Sequence, residues 1–201
     1  MKIIKIQTEY NKDVIKEVVE YLRQGKVIVY PTETFYGLGC DATNSRAVNK
    51  IYKIKSKPRD KALLFLVSSF KMAKEFLEVN PTAKKLIKEY WPGPLSIIMP
   101  VRKEKQKVLK GGTGGTRISS NPIAQTLVKS FGRPIISTSA NLFGQPASHE
   151  VIEIIKYFSK QKYQPDLILD AGKLKKSKGS TIIDLTDENL KIIREGDIKI
   201  I

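Results

Sequence analysis

Lys26-Val27-Ile28-Val29-Tyr30 runs directly into Pro31-Thr32-Glu33-Thr34-Phe35-Tyr36-Gly37-Leu38-Gly39-Cys40-Asp41-Ala42-Thr43. The first five residues are an apolar, β-branched run that reads as a strand, ended by Pro31. The segment Pro31–Thr43 is polar and glycine-bearing, and reads as a long loop of the kind that carries ligand contacts at a strand end. The same order returns later, where Pro134–Ser137 (PIIS) reads as a buried strand and passes into the polar Ser137-Thr138-Ser139-Ala140-Asn141. Between them, Leu63–Val67 (LLFLV) is continuously apolar, as a strand covered on both faces should be.

Helical patterns separate these runs. Val14, Ile15, Val18, Val19 and Leu22 recur at helical spacing between a capping Asn11 and a terminating Gly25. Ala47, Val48, Ile51, Tyr52 and Ile54 form a second apolar stripe after Asn44 or Ser45. Further helix starts are read at Ser68 or Ser69, at Asn80-Pro81, at Asn121-Pro122 and near His149. Lys2–Ile6, Leu95–Val101, Arg117-Ile118, Asp166–Leu169, Thr181–Leu185 and Leu190–Ile193 read as strands, the last two joined by a hairpin at Thr186–Asn189. Strands and helices interleave throughout residues 1–201. The expectation is a single α/β domain, of mixed α+β character, with one twisted sheet of about seven strands and flanking helices. The closing hairpin argues for a mixed sheet.

The composition, 41% hydrophobic and 28% charged, suits a globular chain and not a disordered one. No apolar run approaches the ~20 residues of a membrane span, and the charged start is unlike a signal peptide, so a cytoplasmic protein with no membrane partner is expected. Lys and Arg number 36 against 20 Asp and Glu, a net charge of +16 that favours polyanionic partners. With Cys40 the single cysteine and His149 the single histidine, neither an internal disulfide nor a Cys/His metal cluster can form. Gly37-Leu38-Gly39-Cys40-Asp41-Ala42 imitates a dinucleotide fingerprint but starts too far past its strand, so its glycines are read as allowing tight turns. No Walker sequence occurs.

What remains is a kit of cations, hydroxyls and glycines. Lys55, Lys57 and Lys61 flank Pro58, on a loop where they could converge on phosphates; a solvated surface is the competing reading for the lysine-rich helix before it. Gly111-Gly112-Thr113-Gly114-Gly115-Thr116-Arg117 offers backbone N–H groups, hydroxyls and a guanidinium to an anion, or is a surface turn. Ser137, Ser139 and Asn141 offer neutral donors where α/β sheets place ligands, or form a structural turn. Thr32, Glu33 and Thr34 stand at another strand end. Such a kit stabilises phosphoryl charge by position and electrostatics.

The same segments resemble the YrdC family. The likeness is carried by Tyr30–Gly39 (YPTETFYGLG), Ile54–Lys61 (IKSKPRDK), Arg117 with Asn121-Pro122, Ser137–Asn141 (STSAN), Gly179–Ile182 (GSTI) and Arg194-Glu195-Gly196. The resemblance implies a twisted open sheet around a basic concave cleft. It implies threonylcarbamoyl-AMP synthase activity: L-threonine, bicarbonate or CO2, and Mg2+-bound ATP give threonylcarbamoyl-AMP and pyrophosphate, and the product feeds downstream threonylcarbamoyl-transfer proteins that modify tRNA. It assigns Thr34, Arg117, Ser137 and Ser180 to L-threonine, and Lys55, Lys57, Lys61, Thr113, Ser139, Asn141 and Arg194 to ATP. Lys55, Lys57 and Arg117 would stabilise charge, and no protein side chain is assigned to the metal. Lys57 stands where the family has arginine, which keeps the charge and loses the bidentate fork. The chain ends soon after Arg194, as expected of a short, single-domain form. The alternative is a non-catalytic protein that binds double-stranded RNA or tRNA through the +16 surface.

Overall fold

The computed structural model describes residues 1–9, 11–58, 63–106, 109, 112–187 and 189–200. In chain order the elements are β1 (Lys2–Lys5), α1 (Lys12–Arg23), β2 (Ile28–Pro31), β3 (Tyr36–Gly39), α2 (Ser45–Lys55), β4 (Leu64–Leu66), α3 (Phe70–Phe76), α4 (Pro81–Tyr90), β5 (Leu95–Pro100) and β6 (Thr113–Arg117). They continue with α5 (Pro122–Phe131), β7 (Ile135–Ile136), β8 (Thr138–Ser139), α6 (Val151–Phe158), β9 (Leu167–Asp170), β10 (Thr181–Asp184) and β11 (Lys191–Arg194).

Helix starts follow the capping pattern. The side-chain oxygens of Asn11, Asn44, Asn80 and Asn121 accept the N–H of Val14, Ala47, Ala83 and Ala124, and Ser69 accepts that of Met72. Gly25, at φ +70°, follows the end of α1 where glycine alone is unstrained.

The α/β class is as read, and its sheets are mixed. The single sheet of about seven strands is instead two: five strands in the order β1-β9-β2-β3-β8 and six in the order β11-β10-β5-β6-β4-β7. The five-stranded sheet is covered on both faces. Ile28, Tyr30, Leu167 and Leu169 pack under α1 and α5, while Val29, Leu38 and Ile168 face the larger core that holds α2, α4 and α6. The six-stranded sheet alternates. Leu95, Ile97, Met99, Phe65 and Ile183 point into that larger core, leaving Ser96, Ile98, Leu64, Arg117 and Ile182 on the opposite face.

Two segments read as loops are strands. Within Pro31–Thr43, Tyr36–Gly39 turns back on β2 as a hairpin with Val29 opposite Leu38, so Gly37 and Gly39 serve strand packing and not turns. A Cβ at Gly39 would lie 2.5 Å from the Ile136 carbonyl oxygen and 2.6 Å from Tyr30 Cε1, so glycine is needed for close approach. Within the glycine-rich stretch, Thr113–Arg117 pairs with β5 on one side and β4 on the other. A Cβ at Gly115 would lie 2.1 Å from Leu64 Cδ2. The PIIS strand is also divided: Ile135–Ile136 pairs with β4 in the six-stranded sheet, and Thr138–Ser139 pairs with β3 in the other. Ser137 sits at the crossing.

Gly39→Ala should therefore lower unfolding free energy by about 1–3 kcal/mol, because the contact to be relieved is backbone. Gly112→Ala, with open space around its Cβ, should stay within about 0.5 kcal/mol of the parent. Urea denaturation checks both, and equal effects would contradict the close-approach account.

Candidate functional site: a cationic cleft between two sheets

The β2–β3 turn is organised by Thr32. Its hydroxyl donates to the Phe35 carbonyl at 2.6 Å and accepts the N–H of Thr34 and of Phe35, each at 3.2 Å. This closed turn fixes Glu33 and Thr34 against the end of β6, where Arg117 emerges. Arg117 Nε donates to Glu33 Oε1 at 2.8 Å, with the two side chains only 6% and 11% exposed. Its Nη1 and Nη2 lie 3.5 Å from Ser96 Oγ and Thr34 Oγ1, at the weak limit of hydrogen bonding.

A hydroxyl ladder continues across the six-stranded sheet. Ser96 Oγ donates to Ser180 Oγ at 3.1 Å, and Arg194 donates to the Ser180 carbonyl through Nε at 3.0 Å and Nη2 at 2.6 Å. Burial pushes the Arg194 guanidinium below its ordinary value, and the like charge of Arg117 on the same wall adds to the shift. Ser137, 6% exposed, donates its N–H to the Leu64 carbonyl, so the crossing strand is pinned to β4.

Of these groups Thr34, Arg117, Ser137, Ser180 and Arg194 line one cleft of about 330 Å³, within the range of small-molecule sites, with Glu33 and Ser96 behind them. One wall comes from the β2–β3 hairpin and β8 (Thr34, Gly37, Ser139), the other from the six-stranded sheet (Leu64, Ile98, Arg117, Ser180, Ile182, Arg194). Of the sequence-predicted residues, Thr34, Arg117, Ser137 and Ser180 come together here with Lys57, Ser139 and Arg194. Thr113 lies outside this lining. It is on the Arg117 side of β6, four residues away and therefore about 13 Å along the strand. Lys61 lies outside the described residues.

Lys55 is not on a loop. It is the last residue of α2, 3% exposed, and its Nζ donates to the carbonyls of Ser139 at 2.5 Å and Asn141 at 2.8 Å and to Asn141 Oδ1 at 2.7 Å. Burial, with Lys57 beside it, pushes this ammonium down to about 7, and the three oxygens oppose that by favouring the charged form. Its charge thus holds the 139–141 turn in place from behind, as Ser139 Oγ, at 2.7 Å from Asn141 Oδ1, does from in front. Asn141 is likewise behind the lining, its Nδ2 bonded to the Gln145 carbonyl.

Sequence reasoning singled out Glu33 but missed its pairing with Arg117, and it missed Ser96. A lone hydroxyl in the apolar run Leu95–Pro100, at the parity facing away from the core, was the available signal for Ser96. Cys40 is fully buried, its thiol pushed up by burial, and His149 packs against Phe35 with ring centroids 4.6 Å apart and planes tilted by 47°, its Nε2 accepting the Ser177 N–H. Neither lines the cleft. Among the described residues no group of three His, Cys, Asp or Glu side chains is arranged to hold a metal, and no helix is long and apolar enough to cross a membrane.

Two sheets of a mixed α/β fold thus meet at a cationic, hydroxyl-lined cleft whose donors are chemically suited to small anions. Residues 20–196 match the profile of the Sua5/YciO/YrdC family, described as "Telomere recombination". A relative from Methanocaldococcus jannaschii is 37% identical over 99% of this chain and 95% of its own length. The threonylcarbamoyl-AMP synthase of Pyrococcus abyssi is 32% identical over 98% of this chain, which spans 58% of that protein. A crystal structure of P. abyssi Sua5 complexed with L-threonine superposes with a TM-score of 0.89 at 30% identity, covering 98% of this chain and 58% of that one. Escherichia coli YciO superposes at 0.86 with 33% identity, covering 98% of this chain and 96% of its own. The chain belongs to the Sua5/YciO/YrdC family.

Lys55→Met takes a donor from three oxygens; Asn141 Oδ1 keeps Ser139 Oγ and the Ser139 carbonyl keeps the Asn141 N–H, so the loss falls chiefly on the Asn141 carbonyl and should cost about 1–3 kcal/mol of stability. Denaturant titration measures it. A loss below about 0.5 kcal/mol would rule out a structural role for the Lys55 ammonium.

Proposed function

We propose that this chain is an L-threonylcarbamoyladenylate synthase, joining L-threonine, bicarbonate or CO2, and ATP into threonylcarbamoyl-AMP with release of pyrophosphate. The observation that carries the reading is the pair of guanidinium groups, Arg117 and Arg194, facing one cleft across a ladder of serine hydroxyls. Arg117 presents its Nη1 and Nη2 edge to the threonine carboxylate, and Thr34, Ser137 and Ser180 supply hydroxyls around the amino acid. Arg194 and Lys57 face the triphosphate. The Ser139–Asn141 turn, held by Lys55, borders the same region, and Thr113 and Lys61 belong to the ATP set by family resemblance.

In the reaction the threonine amine, after its ammonium loses a proton, adds to CO2 and sheds a second proton to solvent to give a carbamate. A carbamate oxygen then attacks the α-phosphorus of ATP, and the bond to the β-phosphate oxygen breaks to release pyrophosphate. The chain's own contribution is to hold carboxylate and triphosphate at fixed distance and to offset the charge that accumulates between them. Mg2+, if it enters with ATP, would supply further charge neutralisation. Hydroxyls such as Ser139 Oγ suit a hydrated ion carried by phosphate, whereas a protein cage of carboxylates would be needed to hold it alone. The product passes to a threonylcarbamoyl-transfer step on tRNA.

Pyrophosphate release that requires both threonine and bicarbonate tests the reading. Binding of tRNA or double-stranded RNA with steep salt dependence, without such release, would favour the RNA-binding alternative that the +16 charge allows. Arg117→Ala should lose at least ~100-fold in kcat/KM. Serine, which keeps the hydroxyl, should compete better than valine, because a missing hydroxyl leaves buried partners unsatisfied at ~1–3 kcal/mol each. Valine binding as tightly as threonine in calorimetry would overturn the pocket assignment.

A further inference from the structure

We infer that Glu33 is a positioning residue for substrate recognition: it grips the Nε side of Arg117 so that only the Nη1/Nη2 edge is offered to the threonine carboxylate. This rests on the reading of Arg117 as the carboxylate partner. Glu33 Oε1 accepts from Arg117 Nε at 2.8 Å, and Glu33 Oε2 accepts from Ser119 Oγ. Ser119 is itself anchored. It is 2% exposed, its Oγ accepts the Asn121 N–H at 3.2 Å, and its carbonyl accepts from Gln125 Nε2 at 2.7 Å, on the first turns of α5. A rigid helix start therefore fixes the carboxylate, and the carboxylate fixes the guanidinium.

The other edge of Arg117 is held loosely by comparison. Its contacts to Ser96 and Thr34 are both at 3.5 Å, long enough to be displaced by a carboxylate that meets both Nη groups in a bidentate pair. With the Nε side occupied, the fork is preorganised, and the amino acid does not have to order it on binding.

Simple charge counting predicts the opposite of this role. Removing a carboxylate beside Arg117 makes the cleft more positive, and on Coulomb grounds alone would tighten the negative groups placed there, the carboxylate of zwitterionic threonine and the triphosphate. Positioning predicts weaker threonine binding while ATP holds or tightens. The two accounts thus differ in sign for one substrate and agree for the other.

The test is calorimetric titration of L-threonine, of L-threoninol, which carries an alcohol in place of the carboxylate, and of a non-hydrolysable ATP analogue. The proteins are the parent, Glu33→Ala, Glu33→Gln, Ser119→Ala and Arg117→Ala. Glu33→Ala should weaken threonine about 10-fold or more, leave threoninol within about twofold, and leave the ATP analogue unchanged or tighter. Glu33→Gln, whose amide oxygen still accepts from Nε, should recover part of the loss, and the effect should fall on KM for threonine and not on kcat. If Glu33→Ala fails to fold, Ser119→Ala carries the test with a smaller loss in the same direction. Threonine affinity unchanged or increased, or a parallel loss for threoninol, overturns the inference. Should Arg117→Ala abolish the preference for threonine over threoninol while the Glu33 and Ser119 variants keep it, positioning fails and the Arg117 reading stands. If Arg117→Ala leaves that preference intact, both fall.

Discussion

Two sheets can meet in this chain because backbone approaches side chain and carbonyl closely at β3. Gly39 passes so near the Ile136 carbonyl and the Tyr30 ring that no Cβ fits, and Gly37 lies against Ser137 Oγ, where a Cβ would be 3.3 Å away. The segment Ile135–Ser139 can therefore leave one sheet and join the other within a few residues, stitching β4 to β3. The cleft is the space left in front of that stitch. Gly115 keeps its floor low, since a side chain there would collide with Leu64 and crowd Ile98.

That dependence on glycine explains what the sequence concealed. Glycine is depleted from strands on average, so Tyr36–Gly39 and Thr113–Arg117 resemble loops when read alone. Their strand character comes from partners far away in sequence, which supply ladder bonds on both sides. Helices were more legible because their signals are local: asparagine caps and apolar spacing at 3.6 residues need no distant partner. The division into two sheets was hidden for the same reason as the strands. Ile135-Ile136 and Thr138-Ser139 look like one strand with a polar end, and only the identity of their neighbours separates them.

The site was half legible. Hydroxyls and guanidinium groups at strand ends point to anion binding whatever the fold, and Thr34, Arg117, Ser137, Ser180 and Arg194 do line one cleft. The direction of a long side chain is not written in its neighbours. Lys55 sits in a basic stretch, yet its four-carbon stem runs inward to three oxygens. The partnership of Glu33 with Arg117 spans 84 positions and could not be read from spacing.

A dense cluster of cations should repel itself unless each charge is answered. Three cations in and behind this cleft are answered differently. Arg117 has a carboxylate on one edge, Arg194 has the Ser180 carbonyl, and Lys55 has two carbonyls and an amide oxygen. Dipoles answer two of the three, so the cluster stays folded without cancelling the positive potential in the cleft. An arriving carboxylate or triphosphate then meets donors already oriented, and little of its binding energy goes into arranging them. A cleft whose cations were all paired with carboxylates would be equally stable and would have to break those pairs before it could bind an anion.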